Sequence, residues 1–437
     1  MAEPALMTVN GKPALAEAEI TTLSRRLQEP ETVRAIRWGF LASYQAQALP
    51  DRVQHLWRYT DPRQLLPDTL TVTDPLPGGG AGAAPEANPE TNQETAGLVI
   101  RVAPGEVSQP NRAATQAGIV IRPLAEAAEE LAWLGRMVPG DHGLFEALNG
   151  AAWNMGVLVK LPRGKELTEP LRIVVPAACL VNLPRLLIVA DDGAAGTVVE
   201  EHVGGGAQNR VIGVTELHVG ANASVHHVLL QQWGPGVKAH LTTRGHIERD
   251  GRLFTAVASF GGTVAKLDLG AVMAGSGARS ELVGVALAEG RQHLDHHTEH
   301  RHLAGHTWSN LDFKVALAGR ARSVYTGLIR IETNAPHSEA YQENRNLLLA
   351  EKCRADTIPE LEILTDEVSC THGATAAPVD PEQLFYLESR GISYPDALRL
   401  VVRGFLEETL RRIPAELQGG IEQLVHERLD RLAGGDR

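Results

Sequence analysis

Cysteine is scarce: the 437-residue chain has three, Cys179, Cys353 and Cys370. They are odd in number and scattered, which excludes a disulfide framework and makes a reducing cytosol the natural compartment. Aromatic residues make up only 4%. Basic charge is outweighed, 41 Lys and Arg against 53 Asp and Glu, for a net charge of −12. That balance argues against a nucleic-acid or anionic-membrane partner. No apolar run approaches the roughly 18 residues that a membrane span needs. The opening MAEPALMTVNGKPALAEAE lacks a basic segment leading into an apolar core, so no secretory signal is expected. Catalytic signatures are missing too. There is no GxxxxGK[ST] phosphate loop, and the cluster Gly78-Gly79-Gly80 is followed by no Lys-Ser or Lys-Thr. The chain is therefore expected to bind no nucleotide by itself. A GxSxG elbow and an HExxH pair are also absent. Glycine, by contrast, is abundant at 43 residues, which suits many short strands and turns filled by Val, Leu, Ile and Ala.

Hydrophobic spacing divides the chain into three parts. Residues 1–153 read as a helical domain. Leu15, Ile20, Leu23 and Leu27 mark one helix, and Val33, Ile36, Phe40 and Leu41 mark a second that restarts at Pro30, where proline is tolerated in a first turn. Trp57 to Asp61 form an aromatic knot that reads as core packing. Residues 75–97, rich in Gly, Pro, Ala and Asn without apolar period, read as a flexible linker. Leu124 to Met137 and Phe145 to Asn149 read as further helices. At Gly156 the period changes from 3.6 to 2. From there to residue 376 short β-rich runs are broken by turn residues such as Asp191-Asp192-Gly193, Gly220-Ala221-Asn222 and Ala318-Gly319-Arg320. These breaks recur at spacings of roughly 25 to 40 residues. Without intervening helices a βαβ sheet is excluded. A stack of short rungs, a β-helix, fits best, with a large sandwich as the alternative. Residues 377–437 are helical, with one stripe of Leu398, Val402, Phe405, Leu406, Leu410 and Ile413 and a second after Pro414. Such faces pack on the body, and any exposed remainder would be a docking surface.

Two constellations are able to carry chemistry. Cys370 and His372 stand two apart, so on a strand they point the same way. A thiolate and an imidazole suit iron, zinc or an iron–sulfur cluster. Two ligands are too few for a closed site, so the others would come from elsewhere or from another subunit; the plainer reading is a buried thiol and a turn histidine. The second is the His-rich run His293 to His306, in which His296, His300 and His302 would share one strand face. They are candidate metal ligands, although their spacing matches no tetrahedral site, and a solvated, hydrogen-bonded face explains them as well. Cys179 and Cys353 have no neighbouring ligand types and read as buried thiols.

Several stretches resemble the SufB/SufD family of iron–sulfur cluster assembly proteins, and most closely its SufD branch. They are FEALNGAAWNMGVLVKLPRGKELTEPLRI, FKVALAGRARSVYTGLIRI, NRNLLLAEKCRADTIPELEI, VSCTHGATAAPVDPEQLFYLESRGIS and ALRLVVRGF. The resemblance implies a right-handed parallel β-helix between N-terminal and C-terminal helical domains. It implies a non-enzymatic, cytoplasmic scaffold in a SufBCD-type complex. A SufB-like paralogue would bind through the β-helix and a SufC-like ABC ATPase through the C-terminal helices, with a homodimer as the form of the isolated chain. Iron or a nascent cluster would be held transiently at a subunit interface, where Cys370 and His372 match the family's Cys-x-His-Gly element. The position of a sulfur-accepting SufB cysteine falls on Asn344 here, which favours the SufD branch. Readings from other classes are a β-helix polysaccharide hydrolase or lyase, which needs an acidic cleft, and a metal carrier using the His-rich run.

Overall fold

In the computed structural model, residues 8–9, 11–70, 98–108, 118–127 and 129–434 are described; the expected linker at 75–97 lies outside them. The N-terminal helices form where the periodicity places them, as α1 (Glu17–Arg26) and α2 (Glu31–Ala46). Glu17 and Glu19 in the first turn of α1 and Arg25 and Arg26 in its last complement the helix dipole. Pro30 caps α2. A third helix, α3 (Leu144–Ala152), is buried along its whole length and packs with α1, α2 and the face of the β-body. Trp57 of the aromatic knot is half-buried and stacks on Phe145 of α3, with ring centroids 4.9 Å apart.

The helix expected over 124–137 does not form. Two short 3-10 turns, Leu124–Glu126 and Glu129–Ala132, stand there instead. The cause is a long-range competitor for the backbone donors. The Glu216 carboxylate accepts the N–H groups of Gly135, Met137 and Val138 at 2.9, 3.1 and 3.1 Å, and Gly135 sits at φ 76°. Of the stripe Leu131, Leu134 and Met137 that the helical period implies, only Leu134 is buried and the other two are half-buried, on a segment shaped by a charge about 80 residues away in sequence.

The body is a parallel β-solenoid of about 8 turns, flanked by helices at both ends. Successive strands alternate between two sheets, each strand pairing in parallel with the next but one. In one sheet Ala195–Gly204, Ser224–Trp233, Arg252–Ser259, Arg279–Ala288, Trp308–Leu317, Glu339–Leu348 and Ser369–Pro378 follow each other. The facing sheet holds, among others, Arg210–Val219, Lys238–Ile247, Val264–Met273, His293–His302, Arg322–Ile331 and Arg354–Ile363. The period is therefore roughly 29 residues, inside the 25 to 40 that the sequence breaks spanned. Registers are unslipped, as in Arg279↔Trp308 through Ala288↔Leu317.

One corner explains the turn residues. Asn222, Asp250, His306 and His337 all adopt φ of 57–59°, a left-handed conformation that Asn and Asp accept at low strain. Their N–H groups donate to the next turn, Asn222 to Arg249 at 2.9 Å and Asp250 to Ser276 at 3.0 Å. Inside, alternate residues from both sheets fill the lumen with Val, Leu, Ile and Ala. Gly284 is required there: a Cβ would lie 2.2 Å from the Phe313 ring, which occupies the space. The first rungs also recruit Leu98–Ala103 and Val120–Pro123 from the N-terminal part, the former pairing with Leu171–Pro176.

The tail is helical, as α4 (Pro381–Ser389), α5 (Tyr394–Leu410) and α6 (Ala415–Gly434). Asp380 and Ser393 cap α4 and α5 by accepting N–H groups two and three residues on. The stripe of Val402, Leu406, Leu410 and Ile413, continued by Ile421, Val425 and Leu429, is buried on the outer face of the first sheet against Val228, Ala256 and Val283. No helix among the described residues is long and apolar enough to cross a membrane.

Candidate assembly site at the open end of the solenoid

The solenoid is unfinished at one end. Among the described residues, Arg354–Ile363 pairs only with Arg322–Ile331, and Ser369–Pro378 only with Glu339–Leu348. Each therefore offers one edge of unpaired N–H and C=O groups, a template for a further strand. The lumen is uncovered at this end as well. Ala340, Gln342, Asn344 and Asn346 are buried one rung inside. Their register partners on the last strand are Cys370, His372, Ala374 and Ala376. Of these, Cys370 is half-buried and the other three are exposed.

Cys370 and His372 thus occupy lumen-side positions on the rim, about 7 Å apart along the strand. Cys370 leans on the apolar lumen cluster, and burial pushes its thiol up to about 11. At neutral pH it is a protonated thiol, a weak ligand until a cation or a metal draws the proton off. Asn344 lies one rung deeper. Its amide donates to the carbonyl of Phe313 at 3.2 Å and its Oδ1 accepts from Asn346 at 2.7 Å, so it acts as a satisfied lumen amide. Cys179 and Cys353 are both buried, as their lack of neighbouring ligands suggested.

His296, His300 and His302 do share a face, and that face is the lumen rather than solvent: all three are buried. Burial lowers their pKa to about 4, 3 and 4, so they are neutral rings. His300 bonds Ser280 at 3.0 Å, and His302 bonds Thr307 and Ser309 at 2.7 and 2.9 Å. Among the described residues neither nitrogen of His296 has a hydrogen-bond partner, and the ring packs on Phe313 at 5.2 Å. Four residues of strand separate His296 from His300, about 13 Å, so the three rings do not converge on one ion.

Sequence spacing missed one group of ligand types. His142, Glu146 and Asp268 bring nitrogen and oxygen atoms within 4.8 Å of one another. The only local signal was the separation of His142 from Glu146 by four residues; Asp268 arrives from the solenoid. The carboxylates are already engaged, Asp268 by Arg244 at 2.8 Å and by His297, Glu146 by His240 at 2.8 Å and by Thr242. Burial raises the carboxyl of Glu146, but the imidazoles of His240 and His142 and the Thr242 hydroxyl outweigh it and hold it down at about 2. The group is a charged joint between α3 and the second sheet.

Fold and rim together define a β-helix protein whose last rung, among the described residues, is paired on one side only. Residues 174–405 match the family model described as SUF system FeS cluster assembly, SufBD core domain. The iron–sulfur cluster assembly SufBD family protein of Synechocystis sp. is 28% identical over 398 residues, covering 86% of this chain and 87% of the relative. A SufBD family protein of Staphylococcus epidermidis is 28% identical over 302 residues, 67% of this chain and 64% of that protein. The chain belongs to the SufBD family of iron–sulfur cluster assembly proteins.

Proposed function

We propose that the chain is the SufD-like scaffold subunit of a SufBCD-type complex, joined to a SufB-like paralogue and a SufC-like ATPase, and that it assists cluster assembly without catalysing a reaction itself. The observation that carries this reading is the unfinished rung, with two open strand edges around an uncovered lumen. A second solenoid that pairs with those edges would cover Cys370 and His372. The two side chains would then supply part of a ligand set for iron or a nascent cluster, which is cargo here, and the partner would supply the rest. Covering by a polar, metal-bearing partner would favour the Cys370 thiolate. The ATPase has a separate surface. Phe385, Tyr386, Tyr394 and Leu400 are 72, 58, 52 and 47% exposed on α4 and the start of α5, a concentration of large apolar groups beyond what scattered surface positions show.

Co-expression with the two partners tests both surfaces. Ala374→Asp with Ala376→Asp places two charges on the rim and should abolish co-purification of the paralogue while leaving the ATPase bound. Phe385→Asp with Tyr386→Asp should do the reverse. If neither partner co-purifies with the unaltered chain, the reading fails. For the site itself, His372→Ala should lower the cluster content of the reconstituted complex severalfold without shifting the melting temperature, because His372 is exposed; a folding defect would assign it a structural role instead.

A further inference from the structure

On the outer face of the first sheet, well before the open end, four rungs align a row of side chains that structural needs do not explain. Ser224, Arg252, Arg279 and Trp308 are direct register partners, each on the strand next to the last. Adjacent strands in a sheet lie about 4.8 Å apart, so Arg252 and Arg279 stand side by side. Both are exposed. Among the described residues neither guanidinium has an ion-pair or hydrogen-bond partner, although other arginines on the sheets are paired, as Arg172 is with Glu201 at 2.6 Å on this sheet and Arg322 with Asp356 at 2.8 Å on the facing one. Like charges directly opposite each other in a sheet are destabilising. On a chain of net charge −12 acids do stand nearby, Glu339 as the next member of the row beyond Trp308 and Glu281 in the groove wall, but Glu281 is taken by Arg412.

The pair sits in a concavity. The groove has a volume of about 580 Å³, within the range of small-molecule sites. Trp308 lines the groove next to Arg279, with Glu339 beyond it in the row, and the parallel row beside it contributes the ring of Phe254. The far wall is the turn between α5 and α6, with Arg412 and Pro414. Arg412 is held there by Glu281 and by Asp312 at 2.9 Å, so the wall is fixed and the other two guanidiniums are left to face the groove.

We propose that this groove binds a small phosphate ester bearing a planar ring. The phosphate would bridge Arg252 and Arg279 by charge-assisted, bidentate hydrogen bonds, and the ring would lie on Trp308. Guanidinium forks match phosphate oxygens in geometry as well as charge, and an indole face is the natural platform for a flat ring. Such a site needs no phosphate loop, so the absence of GxxxxGK[ST] does not bear on it. It is independent of the assembly reading: neither Cys370 nor His372 takes part, and the last rung can be complete or incomplete.

The test uses the purified full chain, with AMP and inorganic pyrophosphate as probes, followed by calorimetry and tryptophan fluorescence. Both probes should bind saturably, AMP the more tightly, and AMP alone should quench a signal that Trp308→Phe removes. Arg252→Ala and Arg279→Ala should each weaken binding about tenfold, with circular dichroism unchanged because both side chains are exposed. Rising salt should weaken both probes. No saturable binding below millimolar concentrations overturns the proposal, as does binding that survives the double arginine variant. Equal affinity for pyrophosphate and AMP with no Trp308 signal removes the ring and overturns the ligand class. Selective capture of an acidic peptide in place of both probes would contradict it too.

Discussion

Lowering the pH from 7.5 to 5 is expected to remove on the order of 5 kcal/mol of stability, through three lumen histidines alone. His296, His300 and His302 have folded pKa values lowered to about 4, 3 and 4 by burial. The unfolded chain takes up their protons near the ordinary histidine value of about 6.5, whereas the folded chain refuses them. The unfolded state therefore binds more protons, and stability rises with pH in this window. The contribution is complete above about 6.5 and is lost progressively as the pH falls toward 3 to 4. His142 works in the opposite direction: burial lowers it, but Asp268 and Glu146 raise it overall, so one histidine offsets part of the loss. Glu146, held at about 2, adds acid sensitivity only below the ordinary carboxylate range. Urea midpoints measured between pH 8 and 5 would show the slope. His300→Leu should flatten it by about a third of the three-histidine term. His296→Leu should do the same without lowering stability at pH 7.5, since neither nitrogen of His296 has a partner to lose. A flat pH profile would mean that the lumen admits water or protons around these rings.

Glu216→Ala is expected to cost about 3–5 kcal/mol, because it leaves a buried charge without its counterion. Arg185 and Glu216 are both fully buried and pair at 2.6 Å. Arg185 also donates to Asn149 of α3 at 3.1 Å and lies over the Phe40 ring of α2 at 4.9 Å. Glu216 meanwhile organises the 135–138 backbone through three N–H bonds. One carboxylate thus ties the second sheet, α3 and the segment beneath them. Thermal unfolding should register the loss, and limited proteolysis should open the chain near residues 133–138 first. Replacing both partners, Arg185→Met with Glu216→Leu, should restore only part of the stability. The charge problem disappears, but the three backbone donors remain unsatisfied.

That joint also shows where sequence reading stops. The alternation at Val157, Val159 and Leu161, the turn residues at Asn222 and Asp250, and the stripe from Leu398 to Ile413 each state a local preference that the tertiary structure keeps. Period and turn chemistry were sufficient for a stacked β-body with helices at either end. The segment 124–137 was misread because its apolar spacing is helical while its donors are claimed by Glu216. The His-rich strand was legible as one face, but whether that face turns to solvent or lumen depends on a register set by pairing with Val264–Met273 and Arg322–Ile331. Cys370 and His372 could be placed on a common side by spacing alone. That the side is an uncovered lumen follows only from the absence of a further strand beside them. Asp268 and His142 are joined by the fold, and Arg252 and Arg279 by a 27-residue register, which no local motif displays.

The account rests on the open edges being the surface that a sister solenoid occupies. Amide hydrogen exchange across residues 354–378, with and without a SufB-like paralogue, addresses that surface directly. The account predicts fast exchange at the free edges of Arg354–Ile363 and Ser369–Pro378 in the isolated chain and strong protection of both on complex formation. A stable complex in which these two strands exchange as fast as before, with protection appearing elsewhere, would contradict it.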